Sequence, residues 1–588
     1  MENQRLVVLF GSETGNAQEV AERIWREAKR FHFKGPICSM DEYPISQLIY
    51  ESLVIFVCST TGQGDQPVNM KKFWKFLLRK QLPTNSLQNL RFGVLGLGDS
   101  SYVKFNHVAK KLHKRLEGIG GNALCSVGLA DDQHDLGADA VVDPWIENLW
   151  TVLRQYYILP ENFTNMDSSL PSSRWDVKIS ENISNLQLHD LKWEKDEENL
   201  IKIATVVSNE RITALEHFQD VRLIRLNCES KYIPGDVVVI RPQNSPNAVK
   251  HLLEMLSPII SPDAILYINE CDSDMPVPLA LAKPISLVRC AQEYWDLNAV
   301  PKRYVFQLLS QFESSEMEKE KLTELASASG QEELYNYCNR PRRTILEVLS
   351  DFPHVVPNIP VPYLFEIFQP IRPRSFSIAS SPKAHPGEIH ILLAVVKYKT
   401  KLVTPRLGLC SNWLASLKEG NQLRVALKEG SFTFKRSNVI PLIMVGPGTG
   451  VAPFRSIIHE NVANNMRDKN NLLLIFGSRN QAGDFHFSSE WLKLVEDGLL
   501  NLLTAFSRDQ SHKIYVQNII EENSSLIWSY LKRTASIYVA GNSNNMPNSV
   551  KEAFINVFEK EGQINKEDAT KRIEEMEING RYQTETWS

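Results

Sequence analysis

The chain is 588 residues long, room for about three to five domains at ~150 residues each. Its 43% hydrophobic and 23% charged residues are those of a globular protein, and a net charge of −4 with a pI near 6.4 argues against a nucleic-acid binder. No apolar run approaches the ~20 residues of a membrane helix, and a strand that begins by residue 5 leaves no room for a signal peptide. The eight cysteines include no CxxC pair, so no metal site is expected and the thiols read as reduced. The expectation is a cytoplasmic protein with no membrane anchor, a monomer that forms transient heterocomplexes.

Residues 1–158 alternate apolar runs ("RLVVLF", "LVIFVC", "FGVLGLG", "ALCSVGLA") with helical stretches. Such runs suit strands buried on both faces of a parallel sheet. Ala17, Val20, Ala21, Ile24 and Ala28 share one face of the first helix, so a doubly wound α/β domain is predicted. Residues 159–200 are polar and Pro-containing and read as a linker. From 201 to 437 short strands predict an antiparallel barrel or sandwich, interrupted at about 244–370 by a helical insertion. From 438 to 588 the βα rhythm returns. The linker implies domain motion.

The first strand runs into Ser12, Glu13, Thr14, Gly15, Asn16 and Ala17, which open a helix. Free backbone N–H groups there bind an anion, although an ordinary capped helix would read the same way. Two further strand ends are Gly-containing and polar. One is Ser59, Thr60, Thr61 and Gly62; the other is Leu97, Gly98, Asp99, Ser100, Ser101, Tyr102, Val103, Lys104, Phe105 and Asn106. Tyr102 offers a stacking ring and Asp132 completes the rim. Together these loops suit a flat polar ring with a phosphate, and residues 1–158 resemble a flavodoxin-type FMN domain.

A second constellation joins Arg374, Ser375, Phe376 and Ser377 to a helix start at Gly408, Leu409, Cys410 and Ser411. Arg374 can pair bidentately with a pyrophosphate, and Phe376 offers a ring face. This resembles the FAD site of the ferredoxin–NADP reductase family, and the resemblance extends FAD contact to Arg342. The third, "MVGPGTGVAPFR", is strand, Gly-rich turn and helix without the GxGxxG spacing; in the resembling reductases Thr449 faces the nicotinamide dinucleotide. In the segment 507–517, Arg508 and Lys513 supply positive charge and Ser507 and Tyr515 hydroxyls for a 2′-phosphate, hence NADPH, with Ile514, Val516 and Gln517 counted in the same cofactor-binding stretch. The resemblance adds Ser549 to this pocket. It also lets Trp587, in what otherwise reads as a frayed tail, cover the FAD ring, with Ser377 and Glu585 at the hydride-transfer centre.

The order FMN domain, linker, FAD barrel with insertion and Rossmann-like NADPH domain is that of the diflavin reductases. The sequence looks closest to the branch serving cytosolic iron–sulfur protein assembly, which implies FAD, FMN and NADPH and electron delivery to the iron–sulfur protein anamorsin. Alternatives are a soluble reductase for a haem, cobalamin or sulfite-reducing partner, or a flavin-free binding scaffold. Departures from the wider family are Thr61 for a stacking Tyr, Phe376 for Tyr, Ala540 for Cys, Ser549 for an acid and Glu585 for Asp. The acidic residues of 131–147 are expected to form a face that steers a basic surface on the acceptor.

Overall fold

The apolar runs of the first 158 residues become Val7–Gly11 (β1), Ile37–Ser39 (β2), Leu53–Ser59 (β3), Arg91–Gly98 (β4) and Gly128–Asp131 (β5). The computed structural model describes residues 4–61, 64–102, 104–157, 170–180, 191–192, 201–434, 440–465, 469–543 and 545–587. The five strands are parallel in the order β2-β1-β3-β4-β5, the flavodoxin-like arrangement. Helices Asn16–Arg30 (α1) and Asp139–Leu153 (α4) bury Ala21, Ile24, Ile146 and Leu149 against one face. Helices Lys71–Leu77 (α2) and His107–Gly118 (α3) bury Phe73, Leu77, Leu112 and Leu116 against the other.

The helical insertion, which the chain places inside the barrel sequence, clusters with this domain: Met1–Lys195, Asn244–Ile371 and Thr400–Leu402 form one compact unit. Its apolar core is built around Trp295, Phe306 and Phe368. It meets the flavodoxin-like domain through Met275, which packs against that domain's apolar core, and through a set of ion pairs. Asp143 of α4 accepts from Arg23 of α1 at 2.6 Å and from Arg303 of the insertion. Lys29 meets Asp272 and Asp274 at 2.8 and 2.5 Å, and Arg174 meets Glu22 and Glu366 at 3.3 and 2.8 Å. The Arg26 guanidinium lies 3.7 Å from the centre of the Tyr304 ring.

Two expectations change here. The acidic residues of 131–147 do not make one solvent-facing surface, because Asp143 is buried between two arginines and Gln331 of the insertion donates to the Leu136 carbonyl at 3.2 Å. Within the predicted linker, Trp175–Ser180 is a strand paired antiparallel with Ile265–Glu270. The alternation that buries Trp175 and Val177 gives it a core to join, which the polar flanks obscure.

The second unit comprises Asp196–Gln243, Arg372–Lys399 and Val403–Ser588. Strands Ile201–Arg211 (β6), Val221–Asn227 (β7), Val237–Ile240 (β8), Arg374–Ser377 (β9) and Glu388–Ala394 (β10) precede helix Leu409–Ser416 (α5) and strand Gln422–Lys428 (β11). They form one antiparallel sheet in the order β9-β8-β11-β6-β7-β10. The predicted barrel is not closed by a ladder among the described residues; its two edges meet at the single bridge Ile378↔Ile391. Strand β9 has four residues, and Pro382 soon follows without an N–H to extend the pairing.

The nucleotide-binding half carries five parallel strands: Leu442–Pro447 (β12), Leu472–Ser478 (β13), Asn501–Phe506 (β14), Ser536–Asn542 (β15) and Tyr582–Trp587 (β16). Their order is β14-β13-β12-β15-β16, so the expected tail is an edge strand. Helix Ala452–Ala463 (α6) sends Arg455 into the antiparallel sheet, where it donates to the Ala379 carbonyl at 2.9 Å and stands 3.1 Å from His390 Nδ1. Arg455 and His459 both hold Glu490, at 2.8 and 3.0 Å.

This joint predicts acid lability. Burial, then neighbouring cationic groups, lowers His385 from 6.5 to about 4. Burial likewise brings His390 to about 4 despite its opposing hydrogen bond to the Glu388 carboxylate. Burial raises Glu490, but His459 and Arg455 outweigh it and bring the carboxyl to about 2. Below pH 6.5 the unfolded chain takes up protons that the folded histidines refuse. The histidine contribution is therefore full above pH 6.5 and lost as the pH falls toward 4, and that of Glu490 is lost between 4.5 and about 2. The unfolding midpoint of the holoprotein is expected to fall steadily from pH 7 to 4; a flat profile over that range contradicts this.

Candidate functional site

The first site lies beyond the C-terminal ends of β1, β3, β4 and β5. Gly15 caps α1 with a left-handed backbone, φ 97°, and no side chain caps the first turn. The turn is held from outside. Ser12 Oγ accepts from Gly15 N at 3.0 Å, Ser12 N donates to Asn69 Oδ1 at 2.9 Å, and Glu13 accepts from Val68 N at 3.0 Å. Thr14 and Asn16 are exposed at the rim, while Ala17 is enclosed by the chain. An uncapped helix start of this shape fits the phosphate of FMN.

The neighbouring loops are equally tied down. Ser59 Oγ reaches the Gly11 carbonyl at 3.5 Å, Thr60 Oγ1 accepts from Val108 N at 3.3 Å, and Thr61 closes a turn on the Asp65 carbonyl at 2.9 Å. Gly62 and Val103 lie outside the described residues. Asp99 accepts from Ser101 N at 2.8 Å, and Asp131 from Ser100 N at 2.9 Å and Gln133 N at 3.0 Å. Burial raises Asp131, but these donors outweigh it and leave the carboxyl below its ordinary value. Leu97 is buried, Tyr102 and Phe105 are half-buried, and Lys104 and Asp132 are exposed along the rim. Asn106 is 0% exposed and donates to the Ala130 carbonyl at 2.9 Å, so it shapes the loop from behind. Gly98 makes room for it: a Cβ there would stand 2.9 Å from Asn106 Oδ1.

In the second unit β9 pairs Arg374, Ser375, Phe376 and Ser377 with Ile240, Val239, Val238 and Val237. The Arg374 side chain is exposed and, among the described residues, is bonded to its neighbour's carbonyl, Pro373 O, at 3.3 Å. Burial pushes the Cys410 thiol of α5 up to about 12, and the charge of Arg374 opposes it. Gly408 begins α5 without a side-chain cap, and Ser411 Oγ fastens this turn to Val396 N at 3.0 Å; Leu409 is the first helical residue. An exposed guanidinium on β9 and an uncapped helix start fit the FAD pyrophosphate. Nearby, Glu585 accepts from Ser377 Oγ at 2.6 Å and from Ser431 Oγ at 2.7 Å. Trp587 is 37% exposed, with its carbonyl bonded by Ser543 N at 3.0 Å.

The third site follows β12. Gly448 is left-handed (φ 58°) with open space at its Cβ position, and Thr449 is half-buried beside it. A Cβ on Gly450 would meet the Ala540 carbonyl at 2.2 Å. The backbone of β15 cannot yield that distance, so Gly450→Ala is expected to displace the turn and raise KM for NADPH at least tenfold with flavin content retained; an unchanged KM removes this reading. Arg508 and Lys513 are exposed without a carboxylate partner among the described residues, because Asp509 is occupied by Asn480 and by Gln481 N. Ser507 is buried and Tyr515 exposed; Ile514, Gln517 and Ser549 are half-buried and Val516 buried. Arg342 belongs to the other unit and is exposed, its backbone left-handed at φ 54°. Asn69, Asp131 and Ser431 organise these sites, and the sequence offered no spacing signal for any of them.

Two flavin-shaped sites and a nucleotide turn in one chain define a two-flavin, nicotinamide-dependent oxidoreductase. Family models agree: Flavodoxin matches residues 8–145, FAD binding domain 195–413 and Oxidoreductase NAD-binding domain 444–552. Proteins named NADPH-dependent diflavin oxidoreductase 1 are similar over their whole length. That of Xenopus laevis is 47% identical with 100% of both chains covered, and that of Mus musculus 44% with the same coverage. That of Arabidopsis thaliana is 37% identical over 100% of this chain and 99% of its own. The chain belongs to the NADPH-dependent diflavin oxidoreductase family and uses FAD, FMN and NADPH. Among the described residues no helix is long and apolar enough to cross a membrane.

Proposed function

We propose that electrons pass from NADPH to FAD, then to FMN, and leave to the iron–sulfur protein anamorsin in cytosolic iron–sulfur cluster assembly. Bound flavins supply the conversion of a two-electron donation into single-electron deliveries, and the chain binds, orients and tunes them. The observation that carries this reading is the carboxylate of Glu585 held between Ser377, the last residue of β9, and Ser431. Arg374, Ser375, Phe376 and the Gly408–Ser411 turn hold FAD; residues 12–17, 59–61 and 97–106 with Asp132 form the FMN site. Thr449, Arg508, Lys513 and Tyr515 take NADPH, and Trp587 screens the flavin. The boundaries 1–158, 159–200, 201–437 and 438–588 serve as working domains.

The identity of the acceptor rests on the resemblance of the motifs, and cytoplasmic residence goes with it. Reconstitution tests it: NADPH, the holoprotein and oxidised anamorsin are mixed without air, and the iron–sulfur absorbance is followed. Bleaching at a rate that FMN removal abolishes supports the reading. Full flavin reduction with an unreduced cluster rejects anamorsin and turns the search to haem, cobalamin or sulfite-reducing acceptors.

A further inference from the structure

Between residues 71 and 116 the sequence holds eleven cationic residues, Lys71, Lys72, Lys75, Arg79, Lys80, Arg91, Lys104, Lys110, Lys111, Lys114 and Arg115, against one acid, Asp99. The whole chain carries a net charge of −4, so this is a local excess. Helices α2 and α3 bring it together. Arg115 donates to the Leu77 and Arg79 carbonyls at 2.6 and 2.7 Å, and Lys111 Nζ sits 5.6 Å from the Trp74 ring centre. Lys71, Lys72, Lys75, Lys80, Lys111 and Lys114 are all exposed, and none has a carboxylate within ion-pair distance among the described residues.

The arrangement works against itself. Lys71 and Lys75 of α2, and Lys110 and Lys114 as well as Lys111 and Arg115 of α3, stand four apart, the spacing at which like charges weaken a helix. Burial first, then Lys111, Lys104 and Lys110, lowers the His107 imidazole, with Asp65 opposing only weakly. The other acids near this layer are committed elsewhere or stand at its edge: Asp41 caps α2 through Lys72 N and Phe73 N, and Glu117 pairs with His113 at 3.5 Å. The opposite helical layer, α1 and α4, is already joined to the insertion by the Arg23–Asp143–Arg303 cluster. Of the two layers, α2 and α3 are therefore the open one, and both helices lead out of the loops of the FMN site.

We propose that the α2–α3 face is the docking surface for an acidic electron-accepting protein. The inference rests on the reading that electrons leave from FMN, and it adds the chemistry of the partner: a one-electron acceptor with carboxylates around its redox centre. A protein fits better than a nucleic acid, since the lysines are not interleaved with exposed aromatic rings; Phe73 and Trp74 are buried and Phe76 half-buried. Complementary charge of this kind raises the encounter rate and fades with salt.

The test uses the full-length holoprotein and the triple variant Lys75→Glu, Lys111→Glu, Lys114→Glu, with Lys→Arg at the same positions as the folding control. The probes are an acidic b-type cytochrome and a basic c-type cytochrome, each taking one electron per ferric haem, so one NADPH oxidised reduces two haems. Reduction of the acidic probe is expected to fall at least tenfold in kcat/KM at low ionic strength, with the gap closing as salt is added. The basic probe is expected to be reduced no more slowly, and NADPH is expected to bleach both flavins of the variant at the wild-type rate. Equal reduction of the acidic cytochrome by variant and wild type overturns the dock, as does a loss confined to binding of DNA or of phosphatidylserine vesicles. Slowed flavin bleaching in wild type and variant alike would instead count against the electron route, which this readout separates from docking.

Discussion

Glu585→Gln is expected to slow the reduction of FAD by NADPH about a hundredfold, the lower end of what a positioned acid–base or electrostatic group contributes. Giving up a hydride would leave positive charge on a bound nicotinamide, which a fixed carboxylate at Glu585 would stabilise. The Glu585 carboxylate is fixed because it accepts from two hydroxyls, Ser377 at 2.6 Å and Ser431 at 2.7 Å, on a residue paired with Ala540 in the sheet. A glutamine keeps the shape, removes the charge and turns an N–H toward one of those hydroxyls. Stopped-flow bleaching of the flavin measures the loss. It should come with an enlarged isotope effect from deuterated NADPH and unchanged flavin content. Ser431→Ala, which releases one side of the carboxylate, is expected to cost less. Wild-type bleaching by Glu585→Gln would remove the residue from the transfer step.

Asp143→Ala is expected to loosen the flavodoxin-like domain from the insertion, at a cost of about 3–5 kcal/mol, the usual penalty for leaving buried charge without its partner. Two guanidiniums depend on this carboxylate. Burial alone would lower Arg23, but Glu27 and Asp143 raise it above its ordinary value. Arg303 is buried, its Nη1 meets Asp143, and its Nε and Nη2 have no hydrogen-bond partner among the described residues. Asp143→Asn, which keeps one acceptor, should cost less, and exposed Glu147→Ala next to nothing. Amide exchange is the measure: protection should drop in α1, α4 and 303–309 together, while α2 and α3 keep theirs. Unchanged exchange across α4 would show that packing, and not the ion cluster, joins the two parts.

What was legible in the sequence was local. A parallel strand buried on both faces announces itself as an unbroken apolar run, and a Gly-rich turn between strand and helix announces an anion site. Each depends only on backbone geometry within a few residues, so β1, β3, β4 and β12 with their turns could be placed before any fold existed. Arg374 and Phe376 belong to the same class, since a guanidinium and a ring two residues apart in one short strand can be read without distant partners.

The side-chain partners were not legible, because a charge does not say in which direction it will find its counter-charge. Asp143 sits in an acidic run that reads as a solvated face, yet its partners are 120 and 160 residues away. Trp175 and Val177 hide a strand within polar flanks because the strand they pair with, 265–270, arrives after the whole first half of the barrel. The C-terminal residues look like a tail until β15 supplies an edge for them. By itself, then, the sequence determined which segments become strands, helices and phosphate turns, since propensity, period and turn chemistry act between near neighbours. Only the tertiary structure decided which carboxylates are buried, that Glu585 meets Ser377 and Ser431, and that the lysines of α2 and α3 form one face. Those outcomes depend on contacts between segments brought together by burial of apolar surface, which is non-directional and leaves no mark in the spacing of the residues it joins.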